Sequence, residues 1–482
     1  MLLQGFPAEL LFLIVAELSR KDLLQVAHLS KEFHRYAVVF IYKNVTLRRY
    51  RSAWHFCRTL TAMNPGLSTL VHYFSCMVED YNADIADIDE ELGGDEEGDP
   101  EEEILHDRVT FCKMFPICIG RMNSLRCFRY MPHHNLHVGL SAVVHAIANK
   151  SALRSLSIFV KYLEVEDNIG SLPDPDFPHI KSLAIDTGYL PAFNSSFSNW
   201  IETLLRTHAA RILQLSLDGM SAGRPLENIS SLPSLKYLSI YSNFLGTSLA
   251  NKTPELRKLR VPYHYESPPT PLPHSTFQHL EEVEASEYVV SVSGLLKGRP
   301  IRSLELDGAT FDDLDDVHSC RMPFRAPEFP LVCTTLQTLP ESSVSVTRLA
   351  IYLQRVVVDD MTGLAPHLVG LEQLKICLMD HWHEKLLVDL GKNFLSQLPR
   401  LHTFLLSDAP RFDWIDDDSG RFGNAFKKDV QERILSVWDD GGYCSNLNRA
   451  SFTALHAWNK VKGDWIAEPY PDNPQLYRNY EE

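Results

Sequence analysis

The sequence predicts an α/β protein in two parts: a short head of three helices, then a solenoid of parallel strands with helices and loops on its outside. Two observations predict it. Apolar residues recur at positions 1, 4 and 6 of a short motif about twelve times along the chain, and the first fifty residues carry three short amphipathic segments with their own start signals. The length agrees, because 482 residues exceed one ordinary core and call for several domains or one elongated array. A hydrophobic content of 45% and a charged content of 22% are those of a folded soluble chain.

The head runs from Phe6 to Val45. Pro7 suits a first helical position, where its missing N–H costs nothing, and Glu9 meets the positive end of the helix dipole. Leu10, Ile14 and Leu18 fall four apart on one face, and Leu11 and Val15 widen that face beyond what one small core needs. Ser19 with Asp22 starts a second helix through Leu23, Leu24, Val26 and Ala27. Ser30 caps a third that carries Phe33, Tyr36, Ala37, Phe40 and Ile41. So small a unit buries little surface alone, and its surplus apolar face needs a partner.

The solenoid motif appears at Leu125-Phe128-Tyr130, Leu153-Leu156-Ile158, Ile180-Leu183-Ile185, Ile212-Leu215-Leu217, Leu235-Leu238-Ile240 and Leu256-Leu259-Val261. It continues at Leu280-Val283-Ala285, Ile301-Leu304-Leu306, Val346-Leu349-Ile351, Leu371-Leu374-Ile376, Leu401-Phe404-Leu406 and Leu447-Ala450-Phe452. Positions 4 and 6 share one face of a strand, and a strand with one apolar face is stable only when stacked on its neighbours. Separations run from roughly 21 to 46 residues, compared with 20–29 for regular leucine-rich repeats, and a ninth-position Asn completes the motif only at Asn243. Positions 3, 5 and 7 then face the other way. That places Tyr237 and Tyr241 beside Lys258 and Arg260, which can neutralise Glu282 and Glu284 on the next strand. Glu305 and Asp307 follow, with Arg348 as their first cation in the next repeat, and Tyr352 beyond it. We read Tyr237, Tyr241, Glu284, Glu305, Asp307, Arg348 and Tyr352 as candidate contacts for a protein target of some basic character.

Two resemblances give these parts a meaning. The run Phe6-Pro7-Ala8-Glu9-Leu10, then Ile14, Leu18, Asp22-Leu23, Ala27, Leu29-Ser30-Lys31-Glu32-Phe33 and Ile41-Tyr42-Lys43-Asn44-Val45 resembles the F-box. It covers about a tenth of the chain, in order and without gaps, with Phe6 in place of the usual Leu and Leu29 in place of the usual Val. The resemblance implies that Phe6, Pro7, Leu10, Ile14, Leu18 and Leu23 contact the adaptor Skp1, and that a cullin is reached through it. The repeats resemble the irregular leucine-rich repeats of fungal-type F-box proteins. The expected organisation is therefore an F-box over 1–50, a linker region over 51–120, a leucine-rich-repeat solenoid over 121–456, and a hairpin with a capping tail over 457–482.

Charge and composition narrow the function. The net charge is −16, and Glu79 to Asp107 holds fifteen acidic residues with no Lys or Arg, so this stretch carries nearly all of the excess. It reads as a disordered insertion in the linker, either a plain solvated one or a tether for a basic partner. The rest of the chain is near neutral, so general binding to nucleic acid is not expected. Nine scattered cysteines without a CxxC pair read as reduced, mostly buried thiols of the cytosol or nucleus. The apolar run Leu10 to Ala16 is too short to span a bilayer and has no basic flank, so no membrane role is expected. At the far end Trp458, Lys462-Gly463 and Trp465 read as a hairpin.

No catalytic pattern emerges. His133-His134 with His137, and His381-x-His383-Glu384, lack HExxH spacing and have no Cys pair beside them, and Asp312 to Asp316 and Asp416 to Asp418 lack the alternation and Gly of a calcium loop. No cofactor or metal is expected. The sequence therefore reads as a non-enzymatic substrate-recognition subunit of an SCF (Skp1–cullin–F-box) ubiquitin ligase, with a leucine-rich scaffold outside ubiquitination as the alternative.

Overall fold

In the computed structural model the described residues are 7–78, 100–131, 139–159, 172–187, 195–218, 226–262, 270–306, 329–353, 355–378, 383–408, 428–452 and 456–469. The chain divides into two compact units, Met1–Leu235 and Lys236–Glu482. Each is α/β and solenoid-like, with strands that are mostly parallel.

The first unit opens with three helices, α1 (Ala8–Ala16), α2 (Arg20–Ala27) and α3 (Lys31–Lys43). Ser19 Oγ accepts the Asp22 N–H at 3.3 Å and Ser30 Oγ accepts the Phe33 N–H at 3.2 Å, so two of the three helices start on side-chain caps. α3 passes without a loop into strand β1 (Asn44–Leu47). Five more strands follow, β2 (Tyr73–Met77), β3 (Cys127–Met131), β4 (Ser155–Phe159), β5 (Ser182–Asp186) and β6 (Gln214–Asp218), each parallel to the one before. Register aligns the fourth motif positions as Val45, Phe74, Phe128, Leu156, Leu183 and Leu215, all buried. The sixth positions align as Leu47, Cys76, Tyr130, Ile158, Ile185 and Leu217.

The second unit holds β7 (Tyr237–Ile240), β8 (Lys258–Val261), β9 (Glu282–Ala285), β10 (Ser303–Leu306), β11 (Arg348–Leu353), β12 (Gln373–Leu378), β13 (Thr403–Asp408) and β14 (Arg449–Ser451), again parallel in chain order. Leu238, Leu259, Val283, Leu304, Leu349, Leu374, Phe404 and Ala450 form its fourth-position column. The last pair, β15 (His456–Val461) and β16 (Asp464–Pro469), is antiparallel. Their two-residue turn places Lys462 at φ 54° and Gly463 at φ 99°, the left-handed pair that a tight hairpin requires. Lys460 Nζ lies 2.7 Å from Asp439 Oδ1 and Trp465 Nε1 donates to Asp439 Oδ2 at 2.9 Å, which clamps the hairpin to the helix Lys428–Asp440. On the same helix the Trp438 ring lies so close to Gly391 that a Cβ there would fall inside it.

One backbone bond recurs through both units. The carbonyl at motif position 2 accepts the N–H groups of positions 2 and 3 of the next repeat. Arg126 O takes Arg154 N–H at 2.7 Å and Ser155 N–H at 3.0 Å, and Arg257 O takes Glu281 N–H at 2.8 Å and Glu282 N–H at 2.9 Å. This fork fixes register independently of the length of the connection.

Two boundaries differ from the sequence reading. The region 51–120 is not a linker, because β2 lies within it and β1 within the head, so the strand array begins at Asn44 rather than near 121. Both strands obey the motif, as Tyr42-Val45-Leu47 and Val71-Phe74-Cys76, but Tyr and Cys in place of aliphatic residues hid them. The acidic insertion also ends sooner than expected. The helix Pro100–Arg121 takes in its last residues, and only Glu79 to Asp99 lies outside the described residues.

A buried cation holds part of the second unit. Arg299 is fully buried and, among the described residues, meets no carboxylate. Its Nε donates to Thr276 O at 2.9 Å, one terminal nitrogen to Gly294 O, Leu295 O and Lys297 O at 2.7 to 3.2 Å, and the other to Pro273 O and Thr276 Oγ1 at 2.9 and 2.8 Å. Burial lowers its pKa, while it supplies donors to inward carbonyls, of which Gly294 O also accepts the Lys297 N–H and Pro273 O the Thr276 N–H. Replacing Arg299 by Met should cost about 3 kcal/mol in the unfolding of the second unit, and the same change at exposed Arg302 should cost little. Urea titration of the two variants checks this.

Candidate functional site

The first candidate surface is on α1. The three-helix core consists of Val15, Leu23 and Ala37, with Leu18, Val26, Ala27, Phe33, Tyr36, Phe40 and Ile41 packed against it, and Leu11 is buried as well. Phe12 leans on Phe40, with ring centroids 4.8 Å apart. Leu10, Leu13 and Ile14, at spacings of three and four, are left outside at 46, 60 and 46% exposure. Leu24 and Leu29 are also exposed. The core is therefore complete without this stripe, and covering one such Leu or Ile would be worth roughly 1.5–3 kcal/mol.

This places the sequence-predicted residues unevenly. Pro7 is exposed at the start of α1, and Leu10 and Ile14 share the outward face. Phe6 lies outside the described residues. Leu18 sits beyond the end of α1 and packs on the core. Leu23 is corrected from contact to core: at 6% exposure it has no surface to offer a partner. Leu11 and Val15, read as surplus, are the inner face. Leu13 was missed, although its distance of three from Leu10 was legible.

The second candidate surface is the strand face of the second unit opposite its core. The expected ladder is present: Lys258 Nζ lies 3.4 Å from Glu282 Oε2 and Arg260 Nε lies 2.7 Å from Glu284 Oε1. The rest departs from expectation. Register sets Glu305 between Glu284 and Ala350, and places Arg348 beside Ser303. Glu284, Glu305 and Tyr352 are buried, at 8, 4 and 4% exposure, whereas Tyr237, Tyr241 and Arg348 are half-buried. Asp307 lies outside the described residues.

An inner apolar cluster of Ala350, Tyr352, Cys377 and Leu405 occupies the same face. The physical reason is in the strands themselves. β11, β12 and β13 carry Ala350-Ile351-Tyr352-Leu353, Ile376-Cys377-Leu378 and Phe404-Leu405-Leu406, near-continuous apolar runs that are buried on both faces. Glu284, Glu305 and Tyr352 therefore offer no open, solvated surface to a target.

Among the described residues of the His clusters and thiols, the roles are structural. His383 Nδ1 accepts the Leu386 N–H at 3.0 Å and caps the helix Glu384–Asn393, while Glu384 is held by Arg433 at 2.7 and 2.9 Å. His133, His134, His137, His381 and both Asp runs lie outside the described residues. Among the described residues no group of three or more His, Cys, Asp or Glu could hold a metal ion, and no helix is long and apolar enough to cross a membrane. Contact with Cys118 and burial raise the Cys57 thiol, and burial raises Cys76 and pushes Cys444 up to about 12. Thiols held protonated in this way pack rather than react.

No protein-family model matches the chain, and no curated protein sequence matches it.

The division of α1 into an outer and an inner face is directly testable. Leu13→Asp should leave the thermal midpoint within a few degrees of the parent. Leu23→Asp buries a carboxylate and should cost about 3 kcal/mol or more, read as loss of the helical head by circular dichroism.

Proposed function

We propose that the chain is a non-catalytic substrate-recognition subunit of an SCF-type ubiquitin ligase. The helices α1 to α3 dock on a Skp1-like adaptor, through it on a cullin, and the repeat units hold a target protein. The observation that carries this reading is the exposed stripe of Leu10, Leu13 and Ile14 on a helix whose other face already completes a core. The order of motif residues from Pro7 to Val45 resembles the F-box, and Pro7, Leu10 and Ile14 are outward where that resemblance expects contact.

The mechanism is proximity. A target held by one part of the chain and an adaptor held by another raise the local concentration of target lysines at the ubiquitin-carrying enzyme, with no reacting group on this chain. Target contact then falls to surfaces other than the buried residues Glu284, Glu305 and Tyr352. The second reading is a repeat scaffold outside ubiquitination, which the same stripe allows if its partner is not a Skp1-like adaptor.

The test is copurification with Skp1. Leu10→Asp with Ile14→Asp should weaken adaptor binding on the order of a hundredfold or more, from the lost burial of two apolar side chains, without changing the thermal midpoint by more than a few degrees. Unchanged Skp1 capture would sink the reading. The substitutions are preferable to deleting residues 1–50, because that deletion removes β1 and uncovers the edge of β2. If Skp1 binds but target lifetime in cells does not respond to the double substitution, the scaffold reading stands instead.

A further inference from the structure

The second motif position of the first unit carries Lys43, His72, Arg126, Arg154 and Lys181 in consecutive repeats. A backbone bond at this position, forked from His72 onward, stacks these residues directly. His72 N–H donates to Lys43 O at 3.0 Å, Arg126 N–H to His72 O at 2.7 Å, Arg154 N–H to Arg126 O at 2.7 Å, and Lys181 N–H to Arg154 O at 2.8 Å. Lys43, Arg126, Arg154 and Lys181 are exposed and His72 is half-buried. Among the described residues, no side-chain hydrogen bond or ion pair joins any of the five to a neighbour. The row ends at the sixth repeat, where Leu213 takes the position.

Stability alone does not favour this arrangement. Parallel strands lie about 4.8 Å apart, so the consecutive rungs Arg126, Arg154 and Lys181 face like charges at a distance that costs on average close to the energy of thermal motion even in water. His72 registers the field: burial and then the charges of Arg126 and Lys43 hold its imidazole below the usual histidine range. The second unit handles the same position differently. There Lys236, Arg257, Glu281, Arg302, Thr347 and Glu372 mix signs, and Arg257 pairs with Glu281 at 3.5 Å. A row of one sign in one unit, beside a mixed row in the other, marks a surface kept for an anionic partner.

We infer that the row Lys43–His72–Arg126–Arg154–Lys181 is a docking surface for an extended acidic polypeptide stretch laid across the strands. Five rungs span about 19 Å, the length of roughly six extended residues, which sets the size of the occupant. Guanidinium forks at Arg126 and Arg154 suit carboxylates held side-on. A short acidic stretch meets only this row, whereas a long polyanion such as nucleic acid would also meet the field of a chain with net charge −16. The inference is independent of the ubiquitin-ligase reading. Were both to hold, an acidic segment would be one feature of the target.

The experiment is fluorescence anisotropy with the full-length chain and a fluorescein-labelled peptide of alternating Glu and Gly. Wild type should bind in a salt-sensitive way. Arg126→Glu with Arg154→Glu should weaken binding about tenfold or more, and Arg126→Gln with Arg154→Gln by less. Lys385→Glu with Lys392→Glu, an equal charge change at exposed residues of the second unit, should leave binding within about twofold. Neutralising Arg154 alone should also raise the thermal midpoint slightly, which a row selected for stability would not do. The absence of peptide binding by wild type overturns the inference, as does an equal loss in the Lys385 and Lys392 control. Tighter binding of a labelled oligothymidylate than of the peptide gives the row to nucleic acid instead.

Discussion

The forked bond at motif position 2 is the constraint on which the rest depends. A strand of three to six residues with two inward apolar side chains cannot hold itself together, and shifting it by one residue would turn both side chains outward. A single carbonyl that accepts two consecutive N–H groups of the next repeat removes that freedom at the point where the strand begins. Register is then set by the backbone, and the connections may vary widely in length without disturbing the core. That is how Leu304 and Leu349 pair as directly as Leu238 and Leu259, although the first pair is separated by more than twice as many residues.

The same constraint governs what lies at the first strand of one unit and at the last strands of the other. At the start, α3 runs into β1 with no intervening residue, and His72 N–H bonds to Lys43 O at the junction. The helical head is thus joined to the first rung without a connecting loop. At the far end the parallel series gives way to an antiparallel hairpin. Trp458 Nε1 donates to buried Gln431 at 2.8 Å and the Asp439 clamp holds the other side, so the hairpin covers apolar surface that another repeat would otherwise have to cover.

Much of this was legible because aliphatic residues at spacings of three and two identify a strand together with its turn. From Leu125 onward each motif named in the sequence is a strand whose fourth position is in register with its neighbours within its unit. Legibility failed where the side chain was of another class. Val45 and Phe74 belong to the same column, but Tyr42 and Cys76 disguised their repeats, and the array was begun too late. It failed again where alternation was read into strands that are apolar on both faces. Ala350, Tyr352 and Leu405 were visible in the sequence, and their neighbours Glu305 and Lys375 lie buried beside them. On α1 the spacing of four was right, but periodicity read Leu11 and Val15 as the surplus, whereas packing buries them and leaves Leu10 and Ile14 outward: periodicity shows that a helix has two faces, while only packing shows which of them turns inward.

The surfaces that remain differ in what they cost the fold, and that difference is informative. A paired ladder such as Arg260 with Glu284 can be kept for folding specificity alone, so its presence says little about a ligand. An exposed Leu13 invites association, and a row of stacked cations repels itself, so neither improves the folded state. Features of that kind persist where a partner repays the cost, and here they have opposite characters. The stripe on α1 would be satisfied by burial, which is insensitive to salt, and the cationic row by counter-charge, which salt weakens. The two proposed surfaces of the first unit therefore differ in how salt should act on them, and ionic strength would separate their contributions without altering a residue.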